Sequence, residues 1–293
     1  MPGLALLEPS FVRELELLRR RLAVRARSGG PGEHIAKRRG GSAEFHEHRP
    51  YAPGDDLRSL DWAAYARSGE PVLKVFRSEE DVVARLVCDT SASLEFGEPK
   101  KLDVARRLAA ALGYMTLAGG ERAQLVVAGA GQAHELPPIR GRQGLPTLWR
   151  QLETLPVGGL TDLARSIEGV VLRGGRPGWL VVFSDFFDAG PWRAALSRAV
   201  AAGHEVSLVQ VLSAEDVAPS FEGDVALEDS ETGEVVELVM DATVADAYLR
   251  RFAALCEELR TWARRHGATY VRTRSDERLE PVVRRVVART VDP

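Results

Sequence analysis

Val83-Ala84-Arg85-Leu86-Val87-Cys88-Asp89-Thr90-Ser91-Ala92-Ser93 is the stretch that decides how this chain reads. A short, mostly apolar run from Val83 to Cys88 stops abruptly at Asp89. Runs of that length and character suit a strand buried on both faces, as in parallel sheets. Working outward, Lys101 to Leu117 reads as a helix, with Leu102, Ala105, Leu108, Ala109 and Leu112 at helical spacing. Ala123 to Ala128 reads as a strand, and Leu145 to Leu155 and Asp162 to Leu172 as helices. Trp179 to Phe183 is a second apolar strand, ending at Ser184-Asp185. A helix over Trp192 to Ala202 and a strand over His204 to Leu212 follow. Thr243 to His266 is a long helix stopped by Gly267, its buried stripe being Val244, Tyr248, Phe252, Leu255, Leu259 and Trp262. A strand over Ala268 to Val271 and a helix over Leu279 to Ala288 complete the chain. Strands alternating with helices predict an α/β fold: a doubly wound, mainly parallel sheet in Rossmann-type layers, with helices on both faces. Ligands of such sheets bind at the carboxyl ends of strands. Here two strands end in aspartate, Asp89 and Asp185.

Two parts depart from the alternation. Residues 221–240 read as an inserted β-hairpin, Val225-Ala226-Leu227 and Val235 to Val239 flanking Glu231-Thr232-Gly233. Residues 1–80 read as an N-terminal α+β extension ahead of the α/β domain at 81–293. The extension opens with an amphipathic helix over residues 9–27, carrying Phe11, Leu15, Leu18 and Leu22 on one side and several arginines on the other. A glycine-rich basic stretch over residues 28–42 reads as a loop or hinge. Val72 to Arg77 reads as a strand, whereas residues 43–70 show no clear periodicity.

Composition excludes several classes. The 293 residues are 45% hydrophobic and 28% charged, with a net charge of −3. That is an ordinary globular balance, with no whole-chain bias toward nucleic acid or a membrane surface. Two distant cysteines, Cys88 and Cys256, make neither a disulfide framework nor a zinc pattern. No run approaches the ~20 apolar residues of a membrane span. Met1 to Leu7 lacks the charged start of a signal peptide. A cytoplasmic protein is the expectation.

Asp89-Thr90-Ser91-Ala92-Ser93 sets three oxygen-bearing side chains at alternate positions of one tight loop. Gly158-Gly159-Leu160-Thr161-Asp162 places a threonine hydroxyl just before a helix, and Asp185 closes an apolar strand. Two carboxylates and three hydroxyls suit a hard cation such as Mg²⁺, with Mn²⁺ and Ca²⁺ as alternatives. So few carboxylates leave such a cation short of negative charge, and it would accept an acidic oxygen from elsewhere. The three pieces resemble the metal-ion-dependent adhesion site of von Willebrand factor type A domains, with its Asp-x-Ser-x-Ser motif, distant threonine and later aspartate. The resemblance implies Asp89, Ser91, Ser93, Thr161 and Asp185 as metal ligands, the aspartates often acting through water.

Upstream, Arg49-Pro50-Tyr51-Ala52-Pro53-Gly54-Asp55-Asp56-Leu57-Arg58-Ser59-Leu60-Asp61-Trp62 precedes the metal motif, and Gly40-Gly41-Ser42-Ala43-Glu44-Phe45 precedes that block. The combination resembles the bacterial domain-of-unknown-function 58 family over about residues 30–290. Leu94 follows Ser93 where a methionine is common in that family. The resemblance implies a non-enzymatic, metal-dependent protein-binding adaptor. Its partner would be a MoxR-type AAA+ ATPase or that ATPase's client, engaged through an acidic side chain in protein maturation or remodelling. Physically, Pro53-Gly54-Asp55 is turn chemistry. Arg49 and Arg58 are placed to pair with Asp55, Asp56 and Asp61, while Tyr51 and Trp62 would pack the block onto the sheet. Arg49, Tyr51, Gly54, Asp55, Asp56, Arg58, Asp61 and Trp62 thus form either a rigid structural loop or a partner-recognition surface.

Other chemistries fit less well. A phosphoryl-transfer enzyme also begins with an aspartate after its first strand, but Ser91 stands where a second acidic residue is wanted. Neither a P-loop nor a Gly-x-Ser-x-Gly elbow is present. His46-Glu47-His48 lacks cysteine partners and reads as surface histidines. Residues 1–50 hold ten Lys or Arg against six Asp or Glu, but without the interleaved aromatics of a single-strand binder. A nucleic-acid role through that segment ranks behind the adaptor reading, and no nucleic acid is expected as partner.

Overall fold

The computed structural model describes residues 9–27, 44–52, 55, 60–77, 83–129, 134–158, 161–173, 177–188, 190–219, 223–228, 235–240 and 242–292. In chain order its elements begin with α1 (Pro9–Arg27), β1 (Glu44–Pro50), α2 (Trp62–Ser68), β2 (Val72–Arg77), β3 (Val83–Asp89) and α3 (Lys101–Ala118). Next come β4 (Arg122–Ala128), β5 (His134–Glu135), β6 (Ile139–Arg140), α4 (Leu145–Glu153), α5 (Leu163–Leu172), β7 (Trp179–Ser184) and α6 (Trp192–Ala201). The last are β8 (Glu205–Leu212), α7 (Ala214–Val217), β9 (Gly223–Glu228), β10 (Val235–Met240), α8 (Ala242–His266), β11 (Thr269–Arg274) and α9 (Leu279–Val287). They fall into two units, residues 38–81 and residues 1–37 with 82–293.

The larger unit is built on one sheet in the order β11-β8-β7-β3-β4-β5, with β6 also on β4. From β11 to β4 every pairing is parallel, and the short β5 and β6 return antiparallel on the edge. The expected α/β, mainly parallel architecture is the one observed. Its strands are apolar on both faces because both faces are covered. Leu86 and Cys88 of β3 face one core with α1, α3, α4 and α9, and Val87 faces the other with α5, α6 and part of α8. The alternation is the two-residue period of a strand.

From β3 the chain steps to β4 on one side, then crosses to β7 on the other. Neighbouring strands whose connections leave in opposite directions open a crevice at their carboxyl ends. In this sheet the crevice lies between the ends of β3 and β7, where Asp89 and Asp185 stand.

α1 packs on the larger unit through Phe11, Leu15 and Leu18, the stripe expected from spacing. Its basic side is engaged within the fold: Arg19 Nη2 donates to the last carbonyl of α3, Ala118 (3.0 Å), and Arg21 pairs with Glu280 (2.6 Å). β9 and β10 form the expected hairpin, with Val235 opposite Glu228.

In the smaller unit β1 and β2 pair antiparallel, Pro50 opposite Val72 and Glu44 opposite Arg77. Neither β1 nor α2 is legible in the sequence. α2 buries none of its residues, so it has no apolar stripe, and β1 reads Glu-Phe-His-Glu-His-Arg-Pro with a single large apolar side chain.

Candidate metal centre

Asp89 is the last residue of β3 and is 1% exposed. Its two oxygens are held from both sides of the crevice. Oδ1 accepts from the Ser91 backbone N–H (2.9 Å), and Oδ2 from the Ser184 hydroxyl at the end of β7 (2.6 Å). Ser184 Oγ in turn accepts from the Phe186 N–H at 2.9 Å. Tight turns at both strand ends thus bring the carboxylates together. Burial, and then the Asp185 charge, push the Asp89 carboxyl up to about 6.

A second chain of bonds runs through the hydroxyls. Ser91 Oγ and Ser93 Oγ are 3.0 Å apart, and Ser93 Oγ donates to Asp185 Oδ2 (3.0 Å). The Ser91 hydroxyl is also hydrogen-bonded to the Asp89 carboxyl, so it links the two aspartates through Ser93. Asp185 Oδ1 accepts from the Phe187 N–H (3.1 Å), and the Asp185 carbonyl from Gln210 Nε2 (3.0 Å). The structure therefore brings Asp89, Ser91, Ser93 and Asp185 into one network.

Thr161 is bonded to none of them. Its Oγ1 is buried and has no hydrogen-bond partner, an arrangement that is costly unless something else meets it. The segment leading to Thr161 is pinned to the Asp89 loop by the Gly158 N–H on the Thr90 carbonyl (3.0 Å). Gly129, after β4, closes in from the other side: a Cβ there would lie 2.3 Å from Thr90 Oγ1.

These residues fit a hard divalent cation. All donors are oxygen, two buried carboxylates repel each other, and the Thr161 hydroxyl is unspent. Among the described residues no group of three or more His, Cys, Asp or Glu is poised to hold a metal, so the fit rests on hydroxyls beside two carboxylates.

Sequence reasoning missed Lys101. It is the first residue of α3, its side chain is 2% exposed, and its Nζ lies 2.8 Å from Asp185 Oδ2 and 3.0 Å from Asp216 Oδ2. Asp216 also closes a capping box with Ser213, accepting from the Ser213 N–H at 2.8 Å. Gln210 and Ser184 were missed as well. A lysine opening a helix opposes the helix dipole, and that was the one legible sign of Lys101.

The upstream block behaves differently. Asp61 is buried and caps α2, Oδ1 accepting from the N–H groups of Ala63 and Ala64 (both 3.1 Å). His48 Nε2 lies 2.9 Å from Asp61 Oδ2, so this expected surface histidine has a carboxylate partner. Arg49 pairs with Asp55 at 2.8 Å as expected, while Asp55 Oδ2 accepts from the Ala52 N–H (2.9 Å). The Asp55 carboxyl is held below its usual range first by its hydrogen bond from Arg49. The Tyr51 N–H bonds the Pro71 carbonyl at 3.0 Å. Trp62, at the start of α2, stands edge-on to Tyr65. Gly54, Asp56 and Arg58 lie outside the described residues.

Among the described residues no helix is long and apolar enough to cross a membrane. Among solved structures, the chain is similar to BatB from Bacteroides thetaiotaomicron, at 16% identity and a TM-score of 0.44 over 71% of this chain and 98% of that one. It is similar to an aerotolerance-related membrane protein from Bacteroides fragilis, at 18% identity and a TM-score of 0.46 over 70% and 98%. A third is proximal thread matrix protein 1 of the mussel byssus, solved with a zinc-occupied MIDAS motif, at 13% identity and a TM-score of 0.43 over 71% and 48%. Uncharacterized proteins of Mycobacterium tuberculosis and Mycobacterium bovis are each 35% identical over 264 residues, covering 88% of this chain and 83% of their own. The model of the family described as protein of unknown function DUF58 matches residues 47–258, so the chain belongs to that family.

Proposed function

We propose that this protein is a non-enzymatic adaptor that binds an acidic side chain of a partner protein through one divalent cation. Ser91, Ser93 and Thr161 would hold the ion through their hydroxyls, with Asp89 and Asp185 supplying the charge. The reading is carried by one observation: a buried, hydroxyl-rich network joining the ends of β3 and β7, beside the unpartnered Thr161 hydroxyl. The ion supplies a Lewis-acid contact for an incoming carboxylate. Oxygen-only donors favour Mg²⁺, with Mn²⁺ or Ca²⁺ as alternatives.

Two exposed aromatics border this region. Phe187 is 40% exposed and follows Asp185 by two positions, and Phe96 is 48% exposed and follows the Ser91–Ser93 loop. Exposed aromatic side chains beside buried polar anchors are the composition of a protein-binding patch. The partner in this reading is a MoxR-type AAA+ ATPase or its client, met in the cytoplasm. The role is inherited from the family resemblance, and the acidic contact from the charge-poor site.

Calorimetric titration of Mg²⁺ and Mn²⁺ into wild type and Asp89→Ala tests the metal. Saturable one-site binding by wild type alone is expected. A pull-down with both proteins tests the partner: recovery of the same partners by Asp89→Ala would overturn the mechanism.

A further inference from the structure

We propose that Lys101 is the built-in counter-cation of this site, competing with a divalent ion for Asp185 and setting the site's intrinsic metal affinity low. The inference rests on the metal-site reading above. Among the residues whose burial is described, Lys101 is the only buried lysine, and its side chain is 2% exposed. Burying an ammonium is strongly unfavourable unless it is paired and hydrogen-bonded. Its position at the start of an 18-residue helix adds a dipole opposed to positive charge. Nothing about packing alone calls for a lysine there.

What Lys101 meets explains the choice. Its Nζ binds Asp185 Oδ2 and Asp216 Oδ2, and the Phe187 ring centroid is 5.4 Å away. Asp185 Oδ2 has two lone-pair sites, and Ser93 Oγ and Lys101 Nζ fill both. An ion drawing on that oxygen must displace one of them or reach Asp185 through water. Lys101 therefore does for Asp185 what a metal would do, while Asp89 is held by the Ser91 N–H and by the Ser184 and Ser91 hydroxyls, none of which carries charge. The formal charge on Asp89, Asp185, Asp216 and Lys101 is −2. An ion of charge +2 cancels that sum only in the presence of Lys101. Without Lys101 the sum is −3, which attracts a divalent ion more strongly and leaves charge to spare. With Lys101 present, the ion is held weakly until a partner carboxylate joins its shell.

A merely structural lysine would tie the β7 loop to the α7 turn and do nothing else. The two roles separate when Mn²⁺ is titrated calorimetrically into the full chain, with thermal unfolding followed with and without Mn²⁺. Lys101→Met is expected to unfold at a lower temperature without metal, to bind Mn²⁺ at least ~10-fold tighter than wild type, and to recover the lost Tm when Mn²⁺ is added. Lys101→Gln keeps two N–H donors without the charge and guards against a Lys101→Met protein that does not fold; it is expected to bind tighter too. Lys101→Arg keeps the charge and is expected to stay within a few-fold of wild type.

Binding by wild type but no tightening in Lys101→Met or Lys101→Gln would overturn the inference and leave the metal site standing. Tightening in Lys101→Arg as well would also overturn it, because shape rather than charge would then be responsible. Binding by Lys101→Met alone, lost in Lys101→Met/Asp89→Ala, would uphold the inference and overturn metal dependence of the wild type. No binding by any variant would overturn both.

Discussion

Asp61 and Asp89 are both buried carboxylates, and the sequence marks both, yet their surroundings assign them different work. Asp61 is surrounded by donors: two backbone N–H groups at the start of α2, and the His48 ring. Asp89 is held by one backbone N–H and by the Ser184 and Ser91 hydroxyls, and faces a second carboxylate across the crevice. A carboxylate whose lone pairs end on N–H groups is finished structure. One that is buried beside a second carboxylate carries an electrostatic cost that a proton or a cation would relieve. The difference lies in the elements rather than the residue. Asp61 caps a helix inside a small unit, whereas Asp89 stands where two parallel strands diverge.

Replacing each aspartate breaks the comparison in opposite ways, and the larger effect is at Asp89. Asp89→Ala is expected to reduce Mg²⁺ or Mn²⁺ affinity at least ~100-fold by calorimetry, a loss of about 2.7 kcal/mol. The fold should persist by circular dichroism, because the variant removes a charge whose burial is unfavourable without a cation. Retained binding would mean that the ion sits elsewhere.

Asp61→Ala is expected to leave metal affinity unchanged and to destabilise α2 by about 1 kcal/mol, the usual cost of losing an N-cap. Hydrogen exchange of the amides of Trp62 to Ser68 measures it. Unchanged exchange would show that the cap is not what holds this helix.

Most of the fold was legible because its signals are local. The apolar run ending at Asp89, the spacing of Leu102 to Leu112 and the stripe Phe11-Leu15-Leu18 each state an element within a few residues. What stayed hidden depends on the third dimension. Lys101 reaches Asp185 and Asp216, 84 and 115 positions away, and its unfavourable place at a helix start does not say which carboxylates it meets. The short β5 and β6 escaped because two-residue strands have no period.

The opposite end of the sheet supplies a smaller, pH-dependent contrast. His204, just before β8, is buried, and its Nδ1 accepts from the Gly178 N–H (3.3 Å). Burial first, then the nearby Arg85 charge, hold its pKa below the ordinary 6.5. The unfolded chain therefore binds this proton more readily than the folded one. The contribution of His204 to stability is complete above pH ~6.5 and is lost as pH falls through the folded value. Denaturant unfolding between pH 5 and 8 is expected to show this loss, with a shallower slope in His204→Asn. An unchanged slope would place the titrating group elsewhere.

The smallest effect is expected at the pair that looks strongest on paper. Arg49 and Asp55 meet at 2.8 Å inside the family's signature block, and both are solvent-accessible. Exposed ion pairs are screened by water and salt and contribute little to stability. If the block is structural, Arg49→Ala should leave unfolding nearly unchanged and partner recovery in a pull-down intact. If the block recognises a partner, the same variant should keep its stability and lose the partner. Stability and recovery therefore have to be measured on the same preparation. The combination of unchanged Tm and lost recovery would move the block from scaffold to interface and add a second contact to the proposed metal-mediated one.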